Sequence, residues 1–171
     1  MKKKTTIGKI DKLDFPELHL SDIPCKIDTG ADNSAIHCQK VRIVERNGKQ
    51  VLKFSLFDPG YVAFDGKKFE IADFTETTVK NTSGIPESRY VIFTKVILFD
   101  QLLEISLTLA DREKMNFPIL IGRKFLAKHK LLVDVNKKNL SFKSKPSGAK
   151  EIKCESLSYQ KPPSATQHYE S

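Results

Sequence analysis

The chain has 171 residues, 39% of them apolar and 29% charged, enough for one domain with a sizeable core and short of what two would need. Its 29 Lys and Arg against 21 Asp and Glu give a net charge of +8, and this composition excludes an intrinsically disordered chain. Apolar runs are only a few residues long, as in Val96-Ile97-Leu98-Phe99, which excludes a transmembrane helix.

Five lysines and three acids lie beyond residue 142, so most of the excess charge sits on the preceding part of the chain. It favours acidic partners or substrates by long-range attraction. The sequence has no Trp, no ring-rich RNA-binding motif and no dense Lys/Arg block, so neither nucleic acid nor membrane is an expected partner. Met1-Lys2-Lys3-Lys4 leads into no apolar stretch that could act as a signal peptide, and a cytoplasmic location is expected. The cysteines, Cys25, Cys38 and Cys154, form no Cys-x-x-Cys pair, and His19, His37, His129 and His168 form no His-Glu-x-x-His pattern. Free thiols in a reducing compartment are expected, with no metal and no cofactor.

In chain order, a strand runs into Asp28-Thr29-Gly30 and a second apolar strand includes Ser34-Ala35-Ile36. Val41 to Arg46 meets Asn47-Gly48, and Lys49 to Leu56 returns. Asn-Gly between apolar-bearing runs is a strong hairpin signal, because both residues tolerate positive φ. Asp58-Pro59-Gly60 and Asp65-Gly66 punctuate the next segment, with Lys67 to Phe74 continuing it. A loop over Asn81 to Pro86 precedes strands at Tyr90 to Phe99 and Leu103 to Leu109, the latter alternating with period two. Asp111 to Lys114 suggests one polar turn, and Arg123 to Lys130 a short helix with Phe125 and Leu126 turned inward. Leu131 to Val133 reads as a strand, and Asn136 to Asn139 as a turn into Leu140 to Phe142. The punctuation is that of an all-β protein with one or two short helices, organised as a domain over 1–142 and a flexible polar tail over 143–171.

Chemistry is concentrated in Cys25 to Ile36, where a strand delivers Asp28-Thr29-Gly30 and small residues follow. A carboxylate at the tip of a tight turn reaches solvent while its neighbours stay packed. The Thr29 hydroxyl can bond back to the backbone and fix the turn, and Gly30 leaves room for another chain's backbone to approach. Two such carboxylates face to face cannot both ionise and share a proton. One then acts as base on a water while the other, protonated, polarises a carbonyl. Phe117-Pro118-Ile119-Leu120-Ile121-Gly122-Arg123, some ninety residues downstream and followed by the short helix, is a second element of the pattern.

Asp-Thr-Gly-Ala followed by an apolar-Gly-Arg strand and a helix resembles the retropepsin-like aspartic proteases. Within them the chain is similar to the bacterial and archaeal family labelled ATP-dependent zinc proteases. The shared blocks are Leu18 to Pro24, Lys26 to Ala31, Ser34 to His37, Asp111-Arg112 with Met115, Ile119 to Arg123, and Leu132 to Asp134. Neither a zinc site nor a Gly-rich phosphate loop stands in the sequence. The resemblance implies a closed retropepsin-like β-barrel, with Asp28 catalytic and Thr29, Gly30, Ala31, Ile121 and Gly122 framing it. It also implies that Asp32 contacts the substrate backbone and pairs with Arg123, and that His37 touches substrate or supports the site. The family has Arg where this chain has Asp32, as the viral retropepsins do.

A single Asp-Thr-Gly occurs, so a dyad needs a homodimer. The expected function is an aspartic endopeptidase acting on a peptide or protein substrate through Asp28 of each copy. The alternative is a non-catalytic dimeric module of the same fold that binds acidic peptides.

Overall fold

The computed structural model describes residues 4–146 apart from 62, 64, 81 and 82. Among these residues eleven strands and two short helices follow in the order β1 (Thr6–Gly8), β2 (Ile10–Phe15), β3 (Leu20–Asp28), β4 (Ser34–Arg46), β5 (Lys49–Leu56), β6 (Lys68–Ile71), β7 (Phe74–Lys80), β8 (Pro86–Leu98), β9 (Gln101–Ala110), β10 (Ile119–Gly122), α1 (Arg123–Lys128), β11 (Leu132–Asp134) and α2 (Leu140–Ser144). A 3-10 turn, Pro16–Leu18, links β2 to β3.

Six strands close a ring in the order β10-β3-β2-β8-β9-β4, with β4 pairing back onto β10. This ring is the all-β closed barrel that the retropepsin-like resemblance implies. The pairs β10–β3 and β4–β9 are parallel, and the other ring pairings are antiparallel. Closure leaves these strands without a free edge. Leu13, Phe15, Cys25, Ile36, Val96, Leu107, Ile119 and Ile121 fill its core. Burying each large aliphatic side chain stabilises the fold by roughly 1.5–3 kcal/mol.

Two hairpins extend the ring. β4 and β5 turn at Asn47-Gly48, whose φ angles are 52° and 74°, and their register runs out to Arg46–Lys49. The residues between Lys67 and Phe74 do not form one strand. Lys68–Ile71 pairs with β5, whereas Phe74 opens β7 and pairs with Ile92 of β8. Partner choice, which local composition does not encode, divides the run at Ala72-Asp73. β8 starts at Pro86, four residues before the expected Tyr90, because its first half is held by β7.

β1 and β11 pair in parallel as a separate two-stranded sheet, and α2 follows. Its first turn is held by a residue 130 positions away. Asp11, fully buried, accepts hydrogen bonds from the N–H groups of Ser141 (2.9 Å), Phe142 (3.0 Å) and Lys12 (2.9 Å). Lys145 then bridges Asp14 at 2.7 Å and Asp22, so the boundary expected at 142 falls inside an ordered helix. The tail from residue 147, with Cys154 and His168, lies outside the described residues. Among those residues no helix is long and apolar enough to cross a membrane.

Asp11 carries a prediction. Asp11→Asn keeps the shape but turns one acceptor oxygen into a donor facing a backbone N–H. Urea unfolding should show a loss of about 1–3 kcal/mol, and a change below a few tenths would mean that the cap is dispensable.

Candidate active site

Three strand ends meet at Asp28. β3 terminates there, β10 runs parallel beside it in the register Ile121–Ile27 and Gly122–Asp28, and β4 begins at Ser34. Asp28 Oδ1 accepts hydrogen bonds from the N–H groups of Gly30 at 2.9 Å and Ala31 at 3.2 Å. Its Oδ2 has no partner among the described residues, and the side chain is partly exposed. The carboxylate therefore stabilises its own turn through one oxygen and presents the other to solvent.

Thr29 departs from expectation. It is exposed and its hydroxyl has no partner among the described residues, so the Asp28 carboxylate holds the turn in its place. A methyl group on Gly30 would lie 3.3 Å from Asp28 Oδ1, which ties that glycine to room for the carboxylate.

The turn is fastened to the start of α1. Helix N-termini leave backbone N–H groups unpaired. Here those of Arg123 and Lys124 donate to the carbonyls of Ala31 (2.8 Å) and Asp32 (3.1 Å). Gly122 N–H donates to Ser34 Oγ at 3.0 Å, and Thr108 Oγ1 donates to the Ser34 carbonyl at 3.1 Å. A Cβ on Gly122 would lie 2.6 Å from both the carbonyl carbon and oxygen of Asn33, so only glycine allows this approach. Gly122 and the buried Ile121 thus stand beside Asp28 together with Ala31.

Asp32 and Arg123 form an ion pair, with side chains 50% and 62% exposed. Lys124 Nζ donates to Asn33 Oδ1 at 3.0 Å. Both contacts lie at the surface, where an ion pair is worth about 0–1 kcal/mol.

His37 is buried, with 2% exposure, so its ring lies in the interior and not at the surface beside Asp28. Arg112 N–H donates to Nδ1 at 2.7 Å. The ring proton of the neutral imidazole is therefore on Nε2, which donates to Asp58 Oδ2 at 2.7 Å. Gln39 donates to the other Asp58 oxygen, and the backbone N–H of His37 donates to the Pro118 carbonyl at 2.8 Å. These contacts fix both ends of the segment between β9 and β10. The sequence marks Asp58 only as part of a turn, and nothing within 20 positions of it identifies His37 as its partner. Cys38, next to this network, has its thiol pushed up to about 12 by burial and then by Asp111. Burial likewise raises Cys25 well above the ordinary thiol range. Both thiols are buried, which disfavours the reactive thiolate form. Among the described residues no group of three or more His, Cys, Asp or Glu side chains is placed to hold a metal ion.

Comparison with known proteins agrees with this architecture. Residues 6–144 match the model of the RimB-like family, described as retropepsin-like aspartic endopeptidase RimB. The chain belongs to the RimB-like family of retropepsin-like proteins. It is 30% identical over 131 residues to proteins named probable alpha-L-glutamate ligase from Desulfotalea psychrophila and Shewanella pealeana. A protein of that name from Parasynechococcus marenigrum is 29% identical over 134 residues. The matches cover 77–78% of this chain, which spans only 28% of the length of each relative. A crystal structure of a Legionella pneumophila protein of unknown function superposes with a TM-score of 0.64 at 21% identity, over 81% of this chain and 99% of that one. That likeness bears on the fold alone.

Two outcomes follow from the geometry. Gly122→Ala should lower unfolding stability by about 3 kcal/mol or more, since its methyl group meets backbone that cannot swing away; a melting temperature equal to wild type would refute the close approach. Asp32→Ala and Arg123→Ala, combined in a double-mutant cycle, should show a coupling below about 1 kcal/mol. A larger coupling would mean that the pair is shielded from water.

Proposed function

We propose that the chain is an aspartic endopeptidase whose dyad comprises Asp28 from each of two copies. The observation that carries this reading is the Asp28 carboxylate itself. One oxygen is held by two backbone N–H groups, the other is unengaged, and the side chain reaches solvent where three strands end. The sequence contains one Asp-Thr-Gly, so the second carboxylate belongs to a symmetry-related copy. The exposed, unpartnered Thr29 beside it is consistent with a surface that a second copy covers.

With carboxylates about 3 Å apart, the two share one proton. The ionised Asp28 takes a proton from a water as its oxygen attacks the peptide carbonyl. The protonated Asp28 of the second copy donates a hydrogen bond to the carbonyl oxygen, where charge develops. Collapse of the tetrahedral intermediate breaks the C–N bond. A proton passes to the leaving nitrogen, and a carboxylic acid and an amine are released.

An acidic peptide is the substrate class that the net charge of +8 favours. The relatives named glutamate ligases point the same way, since cleavage of glutamate-bearing peptides is the opposite of the bond formation that their name describes. Those names also favour a second reading, a non-catalytic module binding acidic peptides, because the matching segment there accompanies a different named activity.

The test incubates wild type and Asp28→Asn with a diverse peptide library and follows sedimentation over a range of concentrations. Cleavage by wild type alone, with a monomer–dimer equilibrium at micromolar protein, is the expected result. Equal cleavage by both proteins, or a strict monomer at high concentration, would overturn the dyad. Acidic peptides bound but left intact would favour the binding module.

A further inference from the structure

The end of β3 alternates in burial, with Cys25 and Ile27 inside, Lys26 exposed and Asp28 partly exposed. Successive strand residues point to opposite faces, so Lys26 and Asp28 share one face, about 7 Å apart along the strand. Lys26 is flanked across the sheet by Leu120 of β10 and Ile10 of β2, both half-buried. A cation thus stands next to the candidate catalytic carboxylate on a shelf of partly apolar surface.

The cations of α1 are already engaged. Arg123 pairs with Asp32, Lys124 with Asn33, and Lys128 with Glu104 at 3.1 Å. The Lys26 ammonium has no ion pair or hydrogen bond among the described residues. Its charge is uncommitted and faces the same solvent as Asp28. A dyad sharing one proton is negative, so an acidic side chain brought close to it is repelled unless a cation offsets that field. Lys26 is placed to do so.

We propose that Lys26 determines specificity by taking the carboxylate of an acidic substrate side chain next to the cleaved bond. The proposal rests on the reading of Asp28 as catalytic. In the homodimer the two-fold axis repeats Lys26 on the far side of the dyad, so acids are favoured on both sides of the bond. The positive shelf makes the preference one of charge, not of pocket shape. Arginine can therefore replace Lys26, and glutamine cannot.

The experiment uses the full chain and two peptides identical except for Glu or Gln on either side of the cleaved bond. The ratio of kcat/KM for the two peptides is read on each variant, so that any loss of folded protein cancels. Wild type and Lys26→Arg should favour the Glu peptide by roughly tenfold or more. Lys26→Gln should bring the ratio to about one, and Lys26→Glu should favour a third peptide with Lys at those positions. A ratio unchanged in Lys26→Gln overturns the proposal and leaves the role of Asp28 standing. If wild type cleaves none of the peptides, that role fails, and calorimetric titration of the Glu peptide then decides the role of Lys26. Binding to Asp28→Asn that weakens roughly tenfold on adding Lys26→Gln supports it as the acid-binding cation. Equal or undetectable binding to both overturns it.

Discussion

The peptide group of Gly122 lies against that of Asn33 with no room for a side chain between them, and the geometry around Asp28 depends on that contact. It brings the start of α1 within reach of the Asp28 turn, so that the N–H groups of Arg123 and Lys124 find the carbonyls of Ala31 and Asp32. It also lets Gly122 N–H reach Ser34 Oγ. The turn is therefore defined by backbone from β10 and α1, and the carboxylate adds two more bonds from inside. A group held this way has little freedom left to lose, which is the physical meaning of preorganisation.

A second constraint acts behind the site. His37, Asp58, Gln39 and Arg112 form a buried polar network in which each imidazole nitrogen and each Asp58 oxygen has a partner. Burying such groups unpaired would be costly. Satisfied, they tie the ring to the loop after β5 and to the segment entering β10. The same principle operates at the far end of the chain, where Asp11 supplies acceptors to α2 and Lys145 joins Asp14 and Asp22. In both places polar groups decide where a connecting segment sits, while the aliphatic core provides most of the burial.

Short-range pattern made a large part of this molecule legible. Asn47-Gly48 specified the β4–β5 hairpin because both residues accept positive φ. Alternation in Leu103 to Leu109 specified a strand with one buried face, which holds as far as Leu107; Thr108, expected on the wet face, is buried and bonds to the Ser34 carbonyl. The Asp28 motif and the apolar run ending at Gly122 marked the two strands that lie side by side. The division of Lys67 to Phe74 between two partners was not legible, nor was the β1–β11 pairing, because period-two composition says nothing about which strand is adjacent. Asn139 stands at the start of α2 but its side chain makes no capping hydrogen bond, and the first turn is held by Asp11 in its place. The same limit hid the partnership of His37 with Asp58, and it misassigned the hydrogen bond that holds the Asp28 turn.

By itself, then, the sequence determined the strand-rich class, the hairpin turns and the Asp28 turn as the candidate site. These follow from φ preferences, side-chain periodicity and the identity of a few functional groups, all of them properties of neighbouring residues. Only the tertiary structure decided the closed ring, the glycine-to-backbone contact beside Asp28, the buried imidazole network and the uncommitted state of Lys26. Each of these depends on groups far apart in the chain, and on burial and hydrogen-bond satisfaction that exist only once the barrel has closed.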